Sequence, residues 1–195
     1  MVFFLKEWIE RAKSYNRIAN IGKIARRYFA MNSFDGVLTI LGILVGCYFG
    51  HITESRSVIS AAIGASIAMM ISGIWGTYLT EHAERQKSLR ELERSTLTKL
   101  GHTRIGDASR FATYVVAMID GLSPITAALI VIIPFFIFKT ATNIVYYYSA
   151  GIAFVILFSL GIFLGKISKE NVVASGLKMI LAGIVCAVIG WFFLK

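Results

Sequence analysis

Two acidic residues, Asp35 and Asp120, stand inside long apolar stretches of the chain. An ionised carboxylate in hydrocarbon costs about 2.5–3.5 kcal/mol on insertion scales, so such a group normally faces protein or water. Asp35 follows Arg27 by roughly 12 Å of helix axis and Asp120 follows Arg110 by roughly 15 Å, which sets both below a membrane surface if the helices run straight. Each acid has a plainer alternative. Asn32-Ser33-Phe34-Asp35-Gly36 could form an interfacial turn in which Ser33 or Asp35 caps a helix. Asp120 could serve as a structural hydrogen-bond partner for a neighbouring helix.

The neighbours of Asp35 sharpen its case. Asp35, Thr39, Gly42, Gly46 and Gly50 are spaced by three or four residues and therefore share one helix face. Gly42-xxx-Gly46-xxx-Gly50 is a doubled small-residue motif of the kind that lets two membrane helices approach closely. A polar, glycine-lined face suits contact with another helix, and in a homodimer with its own copy. Two Asp35 carboxylates near a two-fold axis would repel each other and favour a proton or a divalent cation between them. Packing alone is the bland explanation of the glycines. A companion face recurs on the second apolar stretch through Ser66, Met70, Gly73, Thr77, Thr80 or Glu81, and Glu84. A thioether inside, with carboxylates at the mouth, could select Fe(II) over magnesium, although membrane methionines usually serve packing. Glu81, His82 and Glu84 make a loose ligand cluster that His102 could join. Against it, Arg85 stands ready to pair with Glu81 at i,i+4 on a solvated helix face. His51 has no companion ligand.

These residues require spanning helices to position them. A chain of 195 residues that is 56% hydrophobic, with mean hydropathy +0.70, is too apolar for a soluble domain of this size. Charge is absent from Ser57 to Thr80 and again between Lys139 and Lys166. About 20 apolar residues cross a ~30 Å hydrocarbon core, and the pattern gives five spans: 28–50, 58–80, 111–138, 144–165 and 172–194. The expectation is an all-α, polytopic membrane protein in four segments. Residues 1–27 form an amphipathic helix carrying Phe3, Phe4, Trp8, Ile9, Ala12 and Tyr15 among basic residues, which lies at the cytoplasmic interface or equally packs on the protein's own cytoplasmic face. Residues 28–80 hold the first two spans, 81–110 a helical extension broken at Gly101 and Gly106, and 111–195 three further spans, in the last of which Lys178 can snorkel.

The net charge of +9 does not point to nucleic acid. Lys6, Arg11, Lys13, Arg17, Lys23, Arg26 and Arg27 precede the first span. Arg85, Lys87, Arg90, Arg94, Lys99, Arg104 and Arg110 lie between the second and third. With Lys166 and Lys169 they fall on one side of the membrane, while Arg56, Lys139 and Lys195 fall on the other. The positive-inside rule then puts the amino terminus in the cytoplasm. Cys47 and Cys186, both within spans, read as packing thiols with no disulfide framework. No signal peptide is visible. No nucleophile–His–acid, phosphate-loop or HExxH pattern is present, so an enzyme is not expected.

NSFDGVLTILGILVG in the first span, ISGIWGTYLTEHAERQ at the end of the second, DGLSPITAALIVIIP in the third and GLKMILAGIVCAVIG in the fifth resemble the vacuolar iron transporter family. The resemblance covers most of the chain from Asn32 onward. It implies a five-span homodimer that exports Fe2+ or Mn2+ from the cytosol in exchange for protons, with no tightly bound cofactor. The pathway would run between the two first helices and past Asp35. The family's Ser-Met-x-x-Gly-Glu-Tyr reads here Ser72-Gly73-Ile74-Trp75-Gly76-Thr77-Tyr78, so its methionine and glutamate are replaced by Gly73 and Thr77, with Met70 one turn earlier. The family's glutamate-rich insert is reduced to residues 81–110. The expected route is collection at Glu81, His82 and Glu84, passage by Thr77, Met70 and Thr39, and exchange at Asp35, in a prokaryotic plasma membrane. A non-transporting structural or regulatory dimer on the same scaffold, and a carrier of another small solute, are the competing expectations.

Overall fold

The computed structural model describes Val2–Leu194, with the side chains of residues 2–9 and 11 outside the description. Phe3, Phe4, Trp8 and Ile9, expected on an apolar helix face, are among those side chains, and Lys195 lies beyond the described residues. The chain is all-helical: α1 Val2–Ala19, α2 Ile21–Phe49, α3 Ser55–Thr96, α4 Arg104–Val131, α5 Ile133–Ile137, α6 Asn143–Ser168 and α7 Val172–Leu194. Five of these, α2, α3, α4, α6 and α7, are long and apolar enough to cross a membrane. Much of their apolar surface is open, with Trp75 67%, Leu181 61% and Phe193 78% exposed. Side chains of this size are solvated by lipid rather than by water.

The helices pack as two compact units. Among the described residues, one comprises 2–29 together with Ile71–Gly121, and the other comprises Ala30–Met70 with 122–194. In the first, α1 ends at Asn20, whose left-handed backbone (φ 51°) turns the chain directly into α2. The Asn16 side chain accepts the Gly22 N–H at 2.7 Å and holds this corner. Ile21, Ala112 and Val116 form a small core there, packed by Tyr15, Ile24 and Phe111. The helix that carries the first span thus begins at Ile21, not at Tyr28. Lys and Arg are good helix formers, so Lys23, Arg26 and Arg27 do not delay it.

The long helix α3 ends at Thr96, where Leu97 is left-handed (φ 52°). Glu93 then receives the Leu100 and Gly101 N–H groups at 2.7 and 3.1 Å, and Thr103 starts α4 by accepting the Ile105 N–H at 3.3 Å. Gly106 is no breaker: it lies inside the first turn of α4, where a Cβ would meet the Gly101 and Leu100 carbonyl oxygens at 2.6 and 2.8 Å.

The second unit has the larger core, with Val37, Ile40, Leu41 and Leu44 of α2 meeting Val58, Ala128, Val131, Phe135, Val145 and Leu157. Gly36 allows a close approach of α2 to α4, because a Cβ there would lie 2.6 Å from the Pro124 oxygen and 2.7 Å from its Cα. Pro134 has no N–H to continue the ladder and separates the short α5 from α4. The two loops at this end are tied together. Ser55 Oγ donates to the Phe138 oxygen at 2.6 Å, Ala141 N to the Thr53 oxygen at 2.8 Å, and Tyr146 Oη to the Ile52 oxygen at 2.8 Å. The α6–α7 hairpin closes through a left-handed Lys169 (φ 59°), with Asn171 Oδ1 accepting the Val173 N–H at 3.0 Å. Lys178 lies 4.0 Å from Glu170 across the same turn.

Candidate functional site

Asp35 sits inside the unbroken helix α2, at its middle residue, so it is not a cap or an interfacial turn. Its side chain is exposed and makes no hydrogen bond or ion pair among the described residues. On the same face, Thr39 is half-buried, a Cβ on Gly42 would meet nothing within 4 Å, and one on Gly46 would meet only the Leu194 Cδ1 at 3.9 Å. Gly50 lies at the helix end, where its N–H still reaches the Gly46 oxygen at 2.9 Å and His51 turns left-handed. A single chain therefore presents a partly open stripe of carboxylate, hydroxyl and glycine backbone on an apolar helix. Gly36, one residue from Asp35, is clamped under Pro124 and fixes the rotation of α2 at this level. Met70, in the same unit, is half-buried on α3.

The second acid is held differently. Thr77 of α3 donates to Asp120 Oδ2 of α4 at 2.6 Å, and both residues are buried. One turn earlier, Gly73 leaves just enough room for α4: a Cβ there would lie 3.0 Å from Gly121 Cα and 3.2 Å from Asp120 Oδ2. The residues Gly73 and Thr77, spaced i,i+4, thus form a seat for Asp120-Gly121. The spacing of each pair is visible in the sequence, but their meeting across two helices is not. Thr77→Val removes a donor to a buried carboxyl group and is expected to lower stability by about 1–3 kcal/mol. Thr80→Val, which loses only bonds to carbonyl oxygens of its own helix, those of Gly76 and Thr77, is expected to stay within about 0.5 kcal/mol. Thermal unfolding of both variants in the same detergent checks the difference.

At the far end of α3, the structure places Glu81, His82 and Glu84 on one helix but does not join them. Glu81 Oε2 pairs with Arg85 at 2.9 Å, and Glu81 Oε1 accepts from Tyr28 Oη at 3.3 Å. His82 lies 3.1 Å from the Gln86 side-chain nitrogen and stacks on Tyr78 with ring centroids 5.7 Å apart. Glu84 and His102 are exposed. Among the described residues, no three His, Cys, Asp or Glu side chains are grouped to hold a metal ion.

No family model matches the chain. The chain is similar to the uncharacterized protein MJ0645 of Methanocaldococcus jannaschii, with 33% identity over 171 residues that cover 86% of this chain and 87% of that protein.

Proposed function

We propose that this chain, which belongs to the same family as that archaeal protein, works as a homodimeric carrier that moves Fe2+ or Mn2+ out of the cytosol in exchange for protons. The observation that carries this reading is Asp35, an exposed carboxylate with no hydrogen-bond or ion-pair partner among the described residues, at the centre of an apolar helix and followed on one face by Gly42 and Gly46. In lipid that face is costly to leave bare, and small residues are what a second membrane helix packs against. A two-fold pairing of α2 covers the face and brings two carboxylates together. One divalent cation, or protons, then offsets their repulsion. Because protons and metal compete for the same carboxylates, binding weakens as pH falls, which couples the two fluxes.

The resemblance to the vacuolar iron transporter family supports the same reading and adds the direction of transport. The family's methionine, placed at Gly73, would press on Gly121, whose Cα lies 3.0 Å from a Cβ built there. Its glutamate is replaced by Thr77, but the carboxylate bonded to that threonine belongs to Asp120 of α4. An acid is kept at this level from another helix. Met70 supplies a thioether one turn before Gly73 on α3. Since Glu81 is occupied by Arg85 and Tyr28, collection of metal falls to His82 and Glu84. The basic segments support, by the positive-inside rule, a cytoplasmic amino terminus and α3–α4 corner, and the reading takes the chain to lie in a prokaryotic plasma membrane. No catalysed reaction forms part of this reading.

A non-transporting dimer on the same scaffold is the second reading, favoured by the scattering of the candidate ligands around Glu81. Uptake of Fe2+, Mn2+, Co2+ and Zn2+ into proteoliposomes, with and without a pH gradient, separates the two. The carrier gives Fe2+ or Mn2+ flux that a proton gradient accelerates. Absence of flux together with absence of saturable binding in calorimetry leaves the second reading.

A further inference from the structure

A cavity of about 220 Å³ opens between the end of α3 and the start of α4. Arg85, Arg90 and Arg110 line it, together with Gln86, Ser109 and Thr113. Its one lining carboxylate, Glu93, is already engaged by the N–H groups of Leu100 and Gly101. Arg90 Nη2 reaches only the Gln86 amide oxygen, at 3.3 Å, and Arg110 Nη2 only the Gly101 carbonyl oxygen, at 2.8 Å. Neither has a carboxylate partner among the described residues. Arg85 bonds Glu81 through Nε; its Nη2 lies 2.9 Å from the same oxygen but is buried and makes no hydrogen bond. The Arg85 side chain is only 14% exposed, so water does little to satisfy it.

From this arrangement we infer that the α3–α4 corner is a binding site for a phosphate group, supplied by an anionic lipid headgroup or by free phosphate. Planar guanidinium groups match the oxygens of a phosphate through paired charge-assisted hydrogen bonds. Three of them meet here around one cavity with less than matching negative charge. The cavity also lies where α3 leaves its charge-free run at Thr80 and α4 enters its apolar stretch at Phe111, which is the level of lipid headgroups. Basic pockets between helices at that level suit phospholipid phosphates. This inference stands apart from metal transport.

The test uses the full-length protein. One arm titrates it in detergent with inorganic phosphate by calorimetry. The other reconstitutes it with phosphatidylglycerol or with phosphatidylcholine and counts retained lipid by native mass spectrometry. Wild type is expected to bind in at least one arm, and Arg90→Gln/Arg110→Gln to weaken that binding about tenfold or more. Lys87→Gln/Arg94→Gln removes equal charge from exposed positions that do not line the cavity, and is expected to change binding less than about twofold. Phosphatidylglycerol retention without phosphate binding assigns the lipid source, and saturable phosphate binding assigns the free anion. Failure of wild type in both arms overturns the site, as does an equal loss in the two double variants. Should the first double variant not fold, Arg90→Gln alone is read against Lys87→Gln by the same comparison.

Discussion

Asp35→Asn is expected to reduce metal flux in proteoliposomes by more than about 100-fold while leaving the folded protein intact. Outer-shell groups around a metal typically contribute about 10–100-fold in affinity. Here the substitution removes the proposed ligand itself, from both copies at once. Folding is expected to be spared because Asp35 is exposed and makes no hydrogen bond or ion pair among the described residues. Substitutions of that kind generally change stability by about 0.5 kcal/mol or less. Mn2+ flux, measured beside the elution volume and melting temperature of the same preparation, separates the two effects. Flux equal to wild type would remove Asp35 from the pathway.

Gly36→Val, one residue away, is expected to do the reverse and cost stability first. A Cβ at Gly36 meets the oxygen, Cα and carbonyl carbon of Pro124 at 2.6, 2.7 and 3.0 Å. These are backbone atoms of a buried proline, so neither a rotamer change nor a flexible side chain can give way. Overpacking in a tight core usually costs about 1–3 kcal/mol, and a clash with fixed backbone belongs at or above the upper end of that range. The expected result is a melting temperature well below wild type, or no recoverable folded protein. Gly64→Ala is the control, since a Cβ there would meet nothing within 4 Å. It is expected to be neutral or slightly stabilising, as alanine is the better helix residue by about 1 kcal/mol. A Gly36→Val protein as stable as wild type would mean that α2 and α4 do not touch at this point.

The sequence makes the spans legible because lipid imposes a simple rule: runs without charge, about one membrane thick, read directly as helices. The runs 57–80 and 140–165 are such cases, and the pairing of Glu81 with Arg85 follows from i,i+4 spacing along one helix. Helix ends are less legible. An apolar run marks where hydrocarbon begins, not where the helix begins, which is why α2 starts at Ile21 and α4 at Arg104. Gly106 looks like a breaker by residue type, but its small size is used for close packing inside α4.

The candidate sites divide along the same line. The face of Asp35, Thr39, Gly42 and Gly46 lies on one helix and is readable from spacing alone. The bond between Thr77 and Asp120 joins two helices, so each residue stands out separately while their meeting does not. The cavity of Arg85, Arg90 and Arg110 is hidden for the same reason. In the sequence these are three members of a basic run, and only the fold brings them around one space.

Everything proposed for transport depends on two copies meeting through α2. The direct measurement is oxidative cross-linking in a bilayer of Gly42→Cys, with Cys47 and Cys186 replaced by alanine, beside Leu181→Cys on the exposed face of α7. Pairing through α2 gives a covalent dimer for Gly42→Cys and monomer for Leu181→Cys. A Gly42→Cys protein that stays monomeric under the same oxidant would contradict it.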